Sequence, residues 1–348
     1  MTKKTVGLVI PIGEFRPSLE ETLISIARQD IDVRLAVFDA SGDARTQNIL
    51  TDYKALIDYH HEGKDSGQSW AIKKGWEELD TDIVGWLNND DSLAPNVLGQ
   101  VLEFFEDSTV VAVYGPSVVR DEAGRFRGMH PAVRPEDLGT ILEECVISQP
   151  SCLVDYQAVR SVGGVNVEAN YTMDWELWTR LYSKFPHGFK FCKSFLTVVE
   201  FGNTTKSSEI SVQRSVEFFK LIRRHRSFAH ELKLTAKFNY WNFRHYILNK
   251  FGDSDSFFIP PDKTFFFWDL QGHLVKGLSF GVKAPERELV FDLNVNGVPI
   301  KSKDMSVSHD EAGAHYIFSA PISTHHICKL VFDDMKQAQT LTSIAFLR

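Results

Sequence analysis

Along the N-terminal part of the chain, apolar and polar positions switch between two periods. "TVGLVIPI", Thr5 to Ile12, is an apolar run rich in β-branched residues and predicts a strand. "SLEETLISIARQ", Ser18 to Gln29, places Leu19, Leu23, Ile26 and Ala27 on one helical face, with Ser18 as N-cap and Glu20 and Glu21 in the first turn. "VRLAVFDA" reads as a second strand, "SWAIKKGWEEL" as a helix and "DIVGWLN" as a third strand. Such alternation, from residue 5 to about 205, predicts a largely parallel sheet covered by helices. Ligands bind such sheets beyond the carboxyl ends of the strands.

The pattern then changes twice. From about Ser207 to Lys250 it is helical and lopsided in charge. Lys220, Arg223, Arg224, Arg226, Lys233, Lys237, Arg244 and Lys250 stand against Glu217 and Glu231, interleaved with Phe218, Phe219, Phe228, Phe238, Tyr240, Trp241 and Phe243. A packed helical pair with a solvated basic face is one reading. Peripheral contact of residues 214–250 with a membrane surface or an anionic acceptor is the other. After "FGDSDSFFIPPD", strict alternation takes over: Leu289, Phe291, Leu293 and Val295 alternate with polar neighbours before an Asn296-Gly297 hairpin turn. "HYIFSA", "ICKLVFDD" and "LTSIAFL" follow as strands, which predicts a small all-β sandwich. The expected organisation is an α/β domain over 1–206, a helical connection over 207–252 and a β-sandwich over 253–348.

Composition narrows the class. A chain of 348 residues, 43% hydrophobic and 24% charged, is ordinary for a globular protein of more than one domain. Its formal net charge of −8 argues against nucleic acid as a partner. Cys145, Cys152, Cys192 and Cys328 form no CxxC pair and predict buried thiols in a reducing compartment. The N-terminal apolar run is short and broken by Pro11 and Gly13, so it reads as a strand and not as a signal peptide; no apolar stretch has the length of a membrane span. The expected location is the cytoplasm.

One stretch resists a purely structural reading. "VGWLNNDDSL", Val84 to Leu93, runs from apparent core into two asparagines and two aspartates. Adjacent carboxylates repel, and they persist most easily when solvent or a cation separates the charges. A divalent cation such as Mg2+ or Mn2+ favours such hard oxygen ligands and shares them with substrate phosphates. Alone the motif is weak, since Asp after a strand often merely forms a turn.

Its companions come in a fixed order. Pro11 ends the first strand and Asp39 the second; "DSGQSWAIKKG" (Asp65 to Gly75), "LNNDD", "QPSCLV" (from Gln149) and "VGGVNVEANYTMDWELWTRL" (Val162 to Leu181) follow. This series resembles the family-2 glycosyltransferases, inverting enzymes with the GT-A fold, over roughly residues 5 to 206. The resemblance does not extend to the β region. It implies transfer of a sugar from a nucleotide diphosphate sugar to a hydroxyl of a glycan or lipid-linked acceptor. The usual setting is bacterial surface polysaccharide synthesis, in the cytoplasm or at the inner face of the membrane.

The resemblance also implies roles. Pro11, Asp39, Asp65, Gly67, Asn89 and Asp90 would line the nucleotide site. A carboxylate accepts hydrogen bonds only, so Asp39 suits the N3–H of uracil or thymine and points to a UDP- or dTDP-sugar. Gly67 would let backbone approach the ligand. Asp90 and Asp91 would hold Mn2+ or Mg2+ against the leaving diphosphate. Asp174, opening a helix anchored by Leu177, Trp178 and Leu181, would be the general base, with Glu168 the next carboxylate in line. Trp175 reads either as a sugar platform or as a core aromatic, and Glu176 with Arg180 as an i,i+4 surface pair. Three positions depart from the family pattern: Asn88 stands for a first Asp, Lys73 for an Asn, and Phe201 for a His, with Thr204, Thr205 and Lys206 nearby.

Two other readings compete. A sugar nucleotidyltransferase needs a Gly- and Lys-rich loop after the first strand, which "PIGEFRPSLEE" lacks. A catalytically inactive glycan-binding protein, using its β-sandwich, is opposed by the presence together of Asp39, Asp90, Asp91 and Asp174. The β region itself suits acceptor binding, oligomerisation or bracing of the helical segment.

Overall fold

The computed structural model describes residues 4–120, 126–130, 135–143, 145–200, 212–223, 264–267, 274–282, 291–295, 298–301, 305–310, 313–323, 328–332 and 341–347. The chain divides into two compact units. One comprises Met1–Ser117, His130–Val199 and Asn203–Lys250; the other comprises Val118–Met129, Glu200–Gly202 and Phe251–Arg348.

The first unit alternates strand and helix: β1 (Val6–Ile12), α1 (Leu19–Ala27), β2 (Val33–Asp39), α2 (Ala44–Asp52), β3 (Tyr59–Glu62), α3 (Gln68–Leu79), β4 (Ile83–Trp86), β5 (Ser92–Leu93), α4 (Leu98–Phe104) and β6 (Ala112–Tyr114). After β7 (Ser117–Arg120) and β8 (Phe126–His130) come β9 (Cys152–Asp155), α5 (Tyr156–Ser161), α6 (Met173–Lys184), β10 (Phe189–Phe191), β11 (Thr197–Glu200) and α7 (Val212–Arg223). A seven-stranded sheet in the order β10-β6-β9-β4-β1-β2-β3 forms its spine. The β1–β2, β1–β4, β2–β3 and β6–β10 pairs are parallel, and only β9 runs against its neighbours β4 and β6. The expected mostly parallel α/β sheet is therefore present.

Every residue of β1 is buried, as the apolar run requires of a central strand covered on both faces. Pro11 is tolerated there for a geometric reason. Val9 O accepts from Leu87 N on the β4 side, and Ile12 O accepts from Ala40 N on the β2 side. By strand alternation the missing N–H of Pro11 faces the β4 side, where the β1–β4 ladder has already ended at Val9↔Trp86. Helix α3 packs on this sheet through Ala71, Ile72, Gly75, Trp76 and Leu79. Gly75 is required by close approach: a Cβ there would stand 2.5 Å from Val9 Cγ2. Trp76 Nε1 donates to Gly85 O at 3.0 Å, and the Trp76, Trp86 and Trp178 rings pack in series at 5.7 and 5.8 Å.

Some local expectations are corrected. Ser18 sits at the start of α1, but in helical conformation and without a side-chain cap; its hydroxyl is buried with no partner among the described residues. Strand β3 was not expected, since "YHHE" lacks apolar contrast. Cys152 and Cys192 are buried free thiols, whereas Cys145 is exposed, so burial does not extend to every cysteine.

The second unit contains two four-stranded antiparallel sheets. One has the order β12 (Thr264–Phe267), β18 (Cys328–Phe332), β14 (Phe291–Val295), β15 (Val298–Lys301). The other has the order β16 (Ser306–Asp310), β17 (Gly313–Ser323), β13 (Leu274–Val282), β19 (Leu341–Leu347). Val295 pairs with Val298 across the expected hairpin, whose turn residues Asn296 and Gly297 lie outside the described residues. Of the basic, aromatic-rich helical stretch only α7 is described; residues 224–250 lie outside the described residues. Among the described residues no helix is long and apolar enough to cross a membrane.

Candidate active site

The parallel register brings the strand ends together. Ile12 pairs with Asp39 and Asp39 with Glu62, so Asp39 closes β2 beside the end of β1. Its side chain is almost fully buried. Oδ1 accepts from the Ser41 backbone N at 2.9 Å and from Ser41 Oγ at 2.5 Å. Oδ2 is buried with no hydrogen-bond partner among the described residues. A buried acceptor without a donor is costly, and native proteins retain one where a ligand supplies the donor more readily than elsewhere.

Beyond β4 the chain turns through Asn88 to Asp91. Asn89 is buried, and its Nδ2 donates to Glu14 O at 2.8 Å, tying this turn to the loop after β1. Asp91 is buried too; its carbonyl accepts from Thr22 Oγ1 at 2.7 Å, which anchors the turn to α1. Asp90 is half-buried. Asn88 joins three motifs. Its Oδ1 accepts from Gln68 Nε2 at 2.7 Å, and its Nδ2 donates to Asp91 Oδ2 at 3.0 Å and to Gln149 Oε1 at 3.2 Å. Gln149 Nε2 in turn donates to Trp86 O at 2.8 Å. The separate sequence signals at Asp65–Gly75, Leu87–Asp91 and Gln149 thus meet through amides.

Asp65 and Gly67 lie at the entrance of α3. Asp65 Oδ1 accepts from Gly67 N at 2.8 Å in a local turn. Gly67 has φ 101°, a conformation that glycine adopts readily and side-chain-bearing residues do not. Ser69, in the first turn, donates from Oγ to Ala169 O at 2.5 Å, which joins α3 to the segment leading into α6. Lys73 pairs with Glu77 at 2.6 Å on the exposed face of α3, remote from a ligand role.

Asp174 is half-buried in the first turn of α6. Its charge reaches Cys152: burial, then Asp174, then Cys145 push the Cys152 thiol well above its ordinary value. Arg214 of α7 lies in the same field. Burial lowers its pKa while Asp174, Cys145 and Tyr171 act in the opposite direction. Glu168 is exposed. Trp175 is core: its Nε1 donates to Ile141 O at 2.5 Å and its ring packs on Phe218 at 5.1 Å, so it offers no platform to a sugar. Glu176 and Arg180 do pair, but inside the protein. Glu176 is 5% exposed, and its carboxylate receives Arg180 Nε at 3.1 and 3.0 Å and Nη2 at 2.7 Å. The surface reading of this pair is wrong because Arg180 turns inward to donate also to Val162 O and Gly164 O. Phe201, Thr204, Thr205 and Lys206 lie outside the described residues.

Sequence reasoning missed Glu217. On α7, its carboxylate accepts from the backbone N–H groups of Asn170, Tyr171 and Thr172, immediately before α6. No local pattern marks it, because its partners lie 45 to 47 residues upstream.

Among the described residues no group of three or more His, Cys, Asp or Glu side chains gathers into a metal site. Asp90 and Asp91 are the two carboxylates of the turn after β4, Asp90 half-buried and Asp91 buried.

The mostly parallel α/β sheet with helices on its faces has the architecture of the GT-A fold. The model of the family described as Glycosyl transferase family 2 matches residues 8–152. Those residues form a family 2 glycosyltransferase domain, and the protein is a glycosyltransferase. The structure of residues 1–349 of TarS from S. aureus in complex with UDP-GlcNAc has a TM-score of 0.53 at 15% identity, covering 71% of this chain and 75% of that one. At that identity the likeness is one of fold. The mannosyltransferase PcManGT from Pyrobaculum calidifontis, solved with GDP-Man and Mn2+, has a TM-score of 0.49 at 14% identity over 72% of this chain and 74% of that one. No match was found among curated protein sequences.

Proposed function

We propose that the protein is an inverting glycosyltransferase that moves a sugar from a UDP- or dTDP-sugar to a hydroxyl of a glycan or lipid-linked acceptor. The observation that carries this reading is Asp39: a buried carboxylate at a strand end, one oxygen held by Ser41 and the other without a donor. The N3–H of a uracil or thymine ring supplies the missing donor, while a cytosine, whose N3 is an acceptor, does not. Pro11, Asp65, Gly67, Asn89 and Asp90 line the remainder of the nucleotide site.

The donor places its diphosphate beyond β4, with Asp90 and Asp91 as the residues that would hold Mn2+ or Mg2+. When bound, the cation neutralises charge developing on the leaving diphosphate. Asn88 and Thr22 keep Asp91 in place by the hydrogen bonds described above. Asp174 removes the proton of the acceptor hydroxyl as that oxygen attacks C1 from the face opposite the diphosphate, which inverts the anomeric centre. The buried Glu176–Arg180 pair and Glu217 hold the segment that carries Asp174.

The wider organisation follows the same reading. Residues 1–206 carry the transferase, 207–252 connect, and 253–348 form a β-sandwich for acceptor binding or self-association. Peripheral contact of 214–250 with the inner face of the membrane and a place in bacterial surface polysaccharide synthesis complete the proposal.

The test has two parts. Thermal stabilisation is screened across nucleoside diphosphates with and without Mn2+, since selective binding raises the melting temperature. Stabilisation by UDP or dTDP is expected and should be lost in Asp39→Ala; equal stabilisation by every base refutes the role of Asp39. Asp174→Asn, which cannot take a proton, should keep nucleotide binding and lose transfer by roughly 10²–10⁴-fold. Near-normal transfer in that variant places the base elsewhere.

A further inference from the structure

Helix α6 begins without a cap of its own. Thr172 stands at its N-cap position, yet its side chain makes no capping bond there. The first backbone N–H groups of a helix have no intrahelical partner and need one. Glu217 of α7 meets the N-cap N–H and the two N–H groups of the chain leading into it. It accepts from Asn170 N at 3.2 and 3.1 Å, Tyr171 N at 2.8 Å and Thr172 N at 3.2 Å, with Thr172 Oγ1 at 3.4 Å. Gln213, one turn earlier on α7, donates to Glu217 Oε1 at 3.1 Å and helps fix the carboxylate. The next residue along α7, Phe218, packs on Trp175. Helix α7 therefore grips the chain at Thr172 and again at Trp175, and Asp174 lies between these two holds.

We propose that Glu217 is a positioning residue for Asp174, fixing the first turn of α6 and offsetting the positive end of the helix on which the base sits. The inference rests on the reading of Asp174 as general base. A helix N-terminus favours the carboxylate anion and so weakens it as a base. A second carboxylate seated on the N–H groups that lead into this helix end acts against it, because a like charge disfavours ionisation. Asp174 is also faced by Arg214 on α7 and by the thiols of Cys145 and Cys152, with Tyr171 beside Arg214 and Glu176 on its own helix. The three backbone bonds give Glu217 the short path to α6. A mere packing contact requires neither its charge nor its acceptor oxygens.

The test uses the full chain and the variants Glu217→Gln, Glu217→Ala and Asp174→Asn. Carbon-detected NMR follows titration of the Asp174 side-chain carboxyl, which needs no substrate. Glu217→Gln keeps an acceptor oxygen but loses the charge, so the Asp174 midpoint should move to lower pH. The acidic limb of kcat/KM for nucleoside diphosphate release from a panel of UDP- and dTDP-sugars with Mn2+ should move with it. Glu217→Ala should lower kcat by roughly 10- to 100-fold through misplacement of the base, with UDP binding unchanged. Glu217→Gln should recover most of that loss. An unmoved Asp174 midpoint in Glu217→Gln overturns the inference, and this holds even if Glu217→Ala fails to fold. If Asp174→Asn retains turnover, the base assignment itself fails, and that result is distinct from an unmoved midpoint.

Discussion

Arg180→Ala is the most informative perturbation of stability. It removes the Arg180 guanidinium, which donates to the buried Glu176 carboxylate from Nε and Nη2, and it releases the carbonyls of Val162 and Gly164. Breaking a buried ion pair from one side costs about 3–5 kcal/mol, because the remaining charge is left without compensation. Glu176 is 7% exposed and Arg180 23% exposed at the side chain, so water reaches the pair from the Arg180 side and the lower half applies. Two carbonyls losing a charged donor add to this, each by about 1 kcal/mol. The expected loss is about 5–6 kcal/mol, a fall in melting temperature of roughly 15 °C for a unit of this size. Urea unfolding at neutral pH measures it, with Glu176→Gln and the double variant completing a cycle. Glu176→Gln removes the charge but keeps an acceptor, so the double variant should be more stable than the sum of the single losses by about 1.5–3 kcal/mol. A loss under about 1 kcal/mol for Arg180→Ala, or strict additivity, refutes the argument and returns the pair to the status of a surface contact.

Other outcomes follow from single contacts. Gly75→Ala should destabilise by about 1–3 kcal/mol, because its Cβ would meet Val9 Cγ2 at 2.5 Å, and adding Val9→Ala should restore part of the loss; an unchanged unfolding midpoint contradicts the close approach. Both Cys145 and Cys152 have thiols pushed up by desolvation and by the Asp174 charge, so exposure decides between them: buried Cys152 should resist maleimide in the folded protein while exposed Cys145 is labelled slowly, as mapped by peptide mass spectrometry; equal labelling of the two at neutral pH contradicts the burial of Cys152. Asp91→Asn should abolish the Mn2+-dependent part of UDP stabilisation; the same midpoint shift in EDTA and in Mn2+ would remove the cation from the proposal.

Legibility in the sequence tracked how local each signal is. Strands β1, β2 and β4 are central and covered on both faces, so their apolar runs were readable. Strand β3 lies at the sheet edge with alternating half-buried and exposed residues, and "YHHE" carried no such contrast. The candidate site was readable as ordered motifs, because polar residues at the ends of apolar strands stand out. Its connections were not. Glu176 and Arg180 have the spacing of a surface pair, and only tertiary packing around α6 turns them inward. Glu217 looked like a minority charge in a basic helix, and its meaning depends on backbone donors far upstream in the chain. Trp175 was ambiguous by type, and the carbonyl of Ile141 decided it.

The amide chain through Asn88 bears on how this sequence can change. Hydrogen bonds along it have a direction: Gln68 donates to Asn88, and Asn88 donates to both Gln149 and Asp91. Only a residue that both accepts and donates fits the middle. Asp at that position would accept from Gln68 but would face the Gln149 oxygen and the Asp91 carboxylate with no proton to offer. Gln149 would have to turn its amide, and its hold on Trp86 O would then reverse as well. Asn88→Asp is therefore not an isolated change in this protein; it asks for a compensating change at Gln149. Positions 88 and 149 are linked through these bonds, and what one tolerates depends on what stands at the other.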